Sequence, residues 1–400
     1  MTPSTHGAGR PSPLRLGVAG LGAVAQSVHL PLLARLPDRF RVSAICDLSH
    51  ATAEAVGDRY GVPASSRHES LERMLEAGGL DGLVILTSGS HAAAVAMGLQ
   101  AGLAVLCEKP LAFTLAEIDQ LTLVQARTGG RLLLGYMKLY DPAVREARRI
   151  LDDPGAPVGR ELRAVEVTVL HPSSDSQLAF AHLLPPPTDV DRATIASLVR
   201  ATDEAHVVAL GADAGPVLGP LYSDVLLGSV IHDLAVLRAL HGDPVAVDRV
   251  DIWPEAVWPP SLAIDARLEG GARLSVGWHY LPQQPAYREE VRLHYDRGSL
   301  ELTFPAPYRL HLPTRLVVRE GGGETVRERR FESIGEAFEE QLFAFEAMAR
   351  GGIAPLAGTP EGRADVVTCQ RIAARRAVDL DLPIGGEAAD VAPLRPGVPR

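Results

Sequence analysis

Three cysteines in 400 residues, Cys46, Cys107 and Cys369, are too few and too scattered to build a disulfide framework or a zinc site. A chain of this kind is expected to work in a reducing cytoplasm and to hold no metal. Basic charge is also in deficit. Lys and Arg number 39 against 49 Asp and Glu, a formal net charge of -10, and no basic run exceeds a few residues. Nucleic acids and anionic membranes bind clustered cations that displace counterions, so neither is expected as a partner. No run approaches the roughly 18 apolar residues of a membrane span. Residues 1–13 carry Ser, Thr, Gly and Pro without an apolar core of signal-peptide length and read as a disordered tail. The Gly-, Pro- and Ala-rich stretch 384–400 reads the same way, and no internal repeat is apparent.

What the chain has is apolar material, 46% of it, with 22% charged residues, a balance that buries a full core. Its length exceeds one ordinary core and points to two domains, on a prior of roughly 100–200 residues each. From Leu14 a short apolar strand runs into glycines, and Ala23 to Leu36 follows with helical spacing. A strand at Val42 to Cys46 ends on Asp47. Helical patterns at Ser49 to Tyr60, Ser70 to Ala77, His91 to Ala101 and Leu115 to Arg127 then alternate with strand runs at Leu83 to Leu86, Val105 to Cys107 and Arg131 to Gly135. This alternation, with short connections and glycine stops, predicts a doubly wound parallel α/β domain over 14–137.

After about residue 138 the texture changes. Val165 to Leu170, Ser261 to Leu268, Ala272 to His279, Val291 to Tyr295, Gly298 to Phe304 and Arg315 to Arg319 are strand-like, several joined by hairpin signals such as Glu269-Gly270-Gly271. Consecutive hairpins predict an open, mostly antiparallel sheet in a second α/β domain, 138–383. Helices are expected at Pro142 to Leu151, Gly228 to Leu240, Ala337 to Arg350 and Glu361 to Val378. Within this domain 171–224 is an insertion with Pro185-Pro186-Pro187 and one helix at Ala193 to Ala201, too long for a simple connection. It reads as a lid or specificity loop, the alternative being a plain surface excursion.

The chemistry-bearing motifs lie on this frame. Gly20-Leu21-Gly22-Ala23-Val24-Ala25 follows a strand and opens a helix. Gly20 suits the tight turn, Gly22 close approach of a pyrophosphate, and Ala25 the helix–strand contact that the third glycine of the fingerprint makes. The helix start offers free amides to phosphates. Asp47, 25 positions after Gly22, stands where a carboxylate accepts from both ribose hydroxyls and repels a 2′-phosphate; no Arg or Lys follows within five positions. NAD is therefore expected rather than NADP. Glu108-Lys109-Pro110 closes another strand at the sheet edge where ligands bind, and its proline permits a cis peptide.

With Thr87-Ser88-Gly89-Ser90-His91, Glu108-Lys109-Pro110-Leu111-Ala112, the run Gly135 to Pro142, His232-Asp233 and Phe338 to Phe345, the chain resembles the Gfo/Idh/MocA family, the glucose-fructose oxidoreductase and inositol dehydrogenase group. The resemblance covers nearly the whole chain, and its most specific element is the Glu-Lys-Pro run. It implies an N-terminal Rossmann domain and a C-terminal α/β domain whose open sheet often forms the oligomer interface, hence a homodimer or homotetramer. The cofactor would lie on Gly20, Gly22, Ala23, Val24, Asp47, Thr87, Ser88, His91, Glu108 and Lys109. Lys109 would sit beside the nicotinamide and the substrate hydroxyl, with His232 as general acid/base: a neutral imidazole suits proton abstraction, and an ammonium stabilises developing alkoxide.

Two departures from the family pattern stand out. The Asp that often precedes this His by four residues is replaced by Gly228, and an Arg expected before the aromatic of the Met137 to Tyr140 run is replaced by Leu139, with Lys138 one position earlier. Asp224 or Asp233 is then a candidate to orient the imidazole. Lys138, His171, Tyr222, Asp224 and Asp233 are candidate substrate contacts. Asp175 joins them, though ordinary loop polarity explains the residues on the insertion equally well. The leading expectation is an NAD-dependent dehydrogenase or ketoreductase acting on a small polyol: a sugar, cyclitol or nucleotide-sugar. A redox-neutral enzyme with tightly held NAD, an epimerase or a lyase or glycosidase working through transient oxidation, is the alternative that Gly228 motivates. A dinucleotide-sensing regulatory module is a third, against which the Lys109 and His232 pair speaks.

Overall fold

The computed structural model describes residues 12–322 and 324–391. The expected tail 1–13 therefore lies almost wholly outside the described residues, as does 392–400. The first sheet has six strands, β1 (Leu14–Ala19), β2 (Phe40–Cys46), β3 (Arg67–His68), β4 (Gly82–Ile85), β5 (Ala104–Glu108) and β6 (Leu132–Gly135). They run parallel in the order β3-β2-β1-β4-β5-β6. The strands are near-continuous apolar runs because helices cover both faces. Leu16, Val18, Leu83, Val84 and Leu106 are wholly buried, each contributing about 1.5–3 kcal/mol of transfer free energy. Strand order reverses between β1 and β4, which opens a crevice at their C-terminal ends.

The helices α1 (Leu30–Arg35), α2 (His50–Tyr60), α3 (Leu71–Ala77), α4 (Ala92–Gln100) and α5 (Leu115–Thr128) connect these strands. Their ends follow sequence chemistry. Ser49 and Ser70 accept from the amides of Thr52 and Arg73, Thr114 and Glu117 form a reciprocal capping box, and Gly61 and Gly129 close helices in the left-handed region. The helix expected over Ala23 to Leu36 does begin at Ala23, but it widens into a π turn over Ala25–His29 before α1. Pro31 has no N–H for a regular helical bond to Ser27, which fits the widening there.

The second sheet has eight strands in the order β14-β13-β12-β11-β7-β10-β9-β8. These are β7 (Leu162–His171), β8 (Ala246–Trp253), β9 (Ser261–Arg267), β10 (Arg273–Tyr280), β11 (Arg288–Tyr295), β12 (Gly298–Phe304), β13 (Arg315–Gly322) and β14 (Thr325–Phe331). Only β7 and β10 pair in parallel. Two strands escape the sequence pattern. The edge strand β14 reads Thr-Val-Arg-Glu-Arg-Arg-Phe and is exposed almost throughout, and β8 carries a register shift between Val247 and Arg249 that breaks its alternation. One sheet face is left uncovered, where Glu166, Ser275 and Asp265 lie side by side and exposed.

The insertion is mostly helical rather than loop. It holds α7 (Ser174–Leu178), α8 (Arg192–Leu210) and α9 (Ala214–Pro220), following α6 (Pro142–Asp152). Asp191 starts α8 by accepting from the amides of Ala193 and Thr194, so the helix outruns the expected Ala193 to Ala201. From α9 the chain continues through a π-helical stretch, Leu221–Val230, into α10 (Ile231–Leu240). This continuous helical run, Ala214–Leu240, is long and apolar enough to cross a bilayer by length and composition, yet 67% of its most apolar window is buried inside the protein. Burial of that kind is what a core helix shows.

Two long helices follow, α11 (Ala337–Ala349), which packs on β5 and the Met137–Tyr140 turn, and α12 (Thr359–Asp379), which packs on β6 and β8 and so touches both sheets; α13 (Ala388–Val391) comes last. The expectation that 384–400 is loose is corrected for its described part. The Glu387 carboxylate accepts from the amides of Leu115 and Ala116 at 2.7 and 2.8 Å and from Gln370 at 2.8 Å, and Gly385 N donates to Leu210 O at 3.0 Å. A carboxylate on two free amides at the start of α5 is a favourable charge-assisted cap. Composition alone does not reveal it.

Candidate active site

The crevice between β1 and β4 carries the glycine turn. Gly20 has φ of 87°, and a Cβ there would lie 2.7 Å from the Leu86 carbonyl carbon and the Thr87 nitrogen, so no other residue fits. Gly22 faces open space. Asp47 is held at the end of β2 by Leu21 N at 2.8 Å and Ser49 N at 2.9 Å, one to each carboxylate oxygen. Ala23 and Val24 open the helix that follows, Val24 facing the cavity described below, while Thr87 and Ser88 follow β4. His91 does not join them. Its buried ring lies between Pro110 O at 2.5 Å and Thr87 O at 2.7 Å, so it bridges the β4 and β5 loops rather than facing the cavity.

Beyond β5 the Lys109–Pro110 peptide is cis. Glu108 takes a 3.0 Å contact from His29 Nε2, and His29 packs edge-on against Phe338. Burial alone would raise the Glu108 carboxyl, but the His29 hydrogen bond and the nearby Lys109 hold it below the usual range. Burial lowers Lys109, Glu108 partly offsets this, and Lys138 lowers it further. The Lys109 ammonium donates to the carbonyl of Gly228, which lies in the π-helical stretch.

His232 lies on the first turn of α10, its ring edge-on to Tyr136 with centroids 6.2 Å apart, and its Nδ1 is buried without a partner. Burial first, then the Lys109 and Lys138 cations, push it well below the usual histidine range, so the ring is neutral. Lys109, Lys138, His171, Asp224 and His232 all face one cavity of about 360 Å³. His171 donates from Nδ1 to Pro172 O at 2.7 Å, which leaves Nε2 as an acceptor, and its ring sits 5.7–6.0 Å from those of Tyr287, Trp278 and Tyr280.

Three candidates lie elsewhere. Tyr222 is wholly buried and donates to Phe113 O at 2.7 Å, bracing the loop before α5. Asp175 is exposed on α7, and its neighbour Ser174 lines the cavity instead. Asp233 is buried behind the cavity wall and shares a hydrogen bond with Glu289. Burial, then the Glu289 charge, raises Asp233 far above the usual carboxylate range, so Asp233 keeps its proton. Burial would raise Glu289 as well, but the Lys138 charge together with hydrogen bonds from Asp233, Lys138 and Tyr287 holds it below the usual range, so Glu289 stays ionised. Glu289 also pairs directly with Lys138 and accepts from Tyr287 at 2.5 Å.

Tyr287 and Glu289 are functional residues that no motif marks, although alternate positions entering β11 share one face, and a buried Glu on a core face is itself a signal. His29, Gln26 and Asp189 also border the site, and no local pattern marks them. Among the described residues, no group of three or more His, Cys, Asp or Glu side chains is arranged to hold a metal ion.

Residues 14–136 match the family described as "Oxidoreductase family, NAD-binding Rossmann fold", Gfo/Idh/MocA. An inositol 2-dehydrogenase from Leifsonia xyli subsp. xyli is 33% identical over 347 residues, 85% of this chain and 86% of that protein. The chain belongs to the Gfo/Idh/MocA oxidoreductase family. The inositol 2-dehydrogenase of Salmonella typhimurium is 29% identical over 141 residues, 35% of this chain, so the match spans only 41% of that relative. Aldose-aldose oxidoreductase from Caulobacter crescentus, 18% identical with a TM-score of 0.67, shares the fold over 92% of this chain and 98% of its own.

Proposed function

We propose that the protein is an NAD-dependent dehydrogenase or ketoreductase that moves a hydride between a nicotinamide and the CH–OH carbon of a single-ring polyol, a cyclitol or sugar. The observation that carries this reading is the convergence of Lys109, Lys138, His171, Asp224 and His232 on one cavity beside Val24 of the glycine turn. Its volume lies at the small end of the roughly 300–1,000 Å³ typical of ligand pockets, which favours one ring over a nucleotide-sugar. The likeness to inositol 2-dehydrogenases supports the cyclitol class.

The residues present fit a dinucleotide. The Gly20 turn admits no Cβ, Gly22 leaves the backbone open on the approach side, and Asp47 is fixed with lone pairs to spare for ribose hydroxyls. Gly20, Gly22, Ala23, Val24, Asp47, Thr87, Ser88, Glu108 and Lys109 would hold it. Bound NAD supplies the hydride acceptor. Lys109 donates to the substrate oxygen and stabilises its developing charge. His232, kept neutral by burial and two cations, takes the hydroxyl proton on a ring nitrogen. Asp224 and the free Nε2 of His171 accept from further hydroxyls, and the aromatic wall of Trp278, Tyr280 and Tyr287 packs against ring C–H.

Purified protein with NAD and a panel of cyclitols and aldoses is expected to form reduced nicotinamide, measured by its absorbance. Lys109→Ala abolishes turnover and His232→Ala lowers it at least about 10²-fold, the lower end for general-base catalysis. Full turnover in both variants would refute the assignment.

A further inference from the structure

The connection from β7 to α8 runs along the dinucleotide crevice. It leaves the cavity at His171 and Ser174. Leu184 N then donates at 3.0 Å to Oε1 of buried Gln26, whose Nε2 donates at 2.8 Å to Leu21 O on the glycine turn. Five residues later, Asp189 reaches the start of α2, accepting from Ser49 Oγ at 2.7 Å and Ala51 N at 2.9 Å. The Ala51 amide first, then the Ser49 hydroxyl, hold its carboxyl below the usual range, so it is charged at neutral pH.

Ser49 joins two carboxylates, since its own amide bonds Asp47 Oδ1 at 2.9 Å. An anion therefore already sits at the α2 start, beside the carboxylate that would read the ribose. Next to it is a hollow of about 290 Å³ whose wall includes Arg67, Glu69 and Arg73, the Arg67 guanidinium pairing with Glu54 and Asp58 and that of Arg73 with Glu76. Cations and the free amides of a helix start are what a 2′-phosphate seeks. Asp189 occupies the amide end of that arrangement.

We propose that Asp189, delivered from the second domain, is a cofactor-specificity residue that excludes the 2′-phosphorylated dinucleotide by filling the place its phosphate needs at the start of α2. This rests on the reading of the crevice as an NAD site. It adds to the discrimination by Asp47 a second carboxylate from a segment some 140 positions away in sequence.

The test is equilibrium binding of NAD and NADP by titration calorimetry to wild type, Asp189→Asn and Asp189→Ala. Wild type is expected to prefer NAD. Both variants are expected to tighten NADP roughly tenfold, as loss of one partly screened like charge allows, while NAD changes by less than about threefold. Equal weakening of both dinucleotides would make Asp189 only a tie for the segment and overturn the proposal, as would unchanged NADP affinity or a wild type without preference. Failure of wild type to bind either dinucleotide would instead sink the underlying cofactor reading.

Discussion

Restoring a carboxylate at Gly228 is the sharpest probe of how the proton is handled. This position lies four residues before His232, where the π-helical stretch runs into α10, and both residues line the cavity. A Cβ there would meet only the Ser223 carbonyl oxygen, at 3.3 Å, so Gly228→Asp requires a shift of a few tenths of an ångström. At present His232 is opposed by burial and two lysines, and its Nδ1 has no partner. An anion within about 4–6 Å favours a charged neighbour by roughly 1–3 pKa units. Taking about 1–2 units for a cavity open to solvent, the imidazolium gains about 1.4–2.8 kcal/mol. The sign follows directly. His232 must be neutral to accept the proton, so the acid limb of kcat/KM follows its pKa and moves to higher pH by about 1–2 units. Lys109 must be charged to stabilise the oxyanion, and its pKa also rises, so the basic limb moves the same way. The whole bell therefore shifts upward in Gly228→Asp and stays put in Gly228→Asn. An acid limb unmoved in a folded, active Gly228→Asp protein would show that His232 is not the proton acceptor.

Two further expectations concern binding and stability. Gly20→Ala places a Cβ 2.7 Å from the Thr87 backbone at a positive φ; calorimetry should show NAD affinity falling by at least tenfold while the fold persists by circular dichroism, and unaltered affinity would remove the turn from the cofactor site. Glu289→Gln strands the buried Lys138 ammonium and should destabilise the protein by about 3 kcal/mol. Lys138→Met should recover much of that loss in a double-mutant cycle by urea unfolding, and simple additivity would refute the coupling.

Legibility from sequence followed how local each determinant is. The parallel domain was readable because each strand is a continuous apolar run and each helix ends on its own Ser, Thr or Gly, as Ser49, Thr114, Gly61 and Gly129 show. Lys109, His232, Lys138, His171 and Asp224 were legible as candidates and do share one cavity. Asp233 was misassigned because one residue's step from His232 along the helix turns a side chain by about 100°, from the cavity into the core, and Tyr222 lies two positions before Asp224 with its ring in the core. Asp189, Gln26 and Glu387 act across 140, 158 and some 270 positions. Their partners are set by tertiary packing, and no periodicity encodes that.

The long insertion then takes on a physical role that its length alone does not suggest. From His171 to His232 the chain passes the cavity, bonds Gln26 beside the glycine turn, bonds Ser49 at the start of α2, and returns through a buried helix to supply Asp224, the Gly228 carbonyl and His232. On the proposed reading, substrate contacts, the cofactor flank and the base are parts of one covalent path anchored at both ends in the same cavity. The Gly228 carbonyl closes the circuit, because it holds the Lys109 ammonium that belongs to the first domain. In the proposed reaction a substrate oxygen would compete for that same ammonium, so a bound polyol would loosen the carbonyl contact as it forms its own. The absent carboxylate at 228 makes the exchange easier: a neutral carbonyl is a weaker partner than an anion, and Lys109 remains free to turn toward the reacting oxygen.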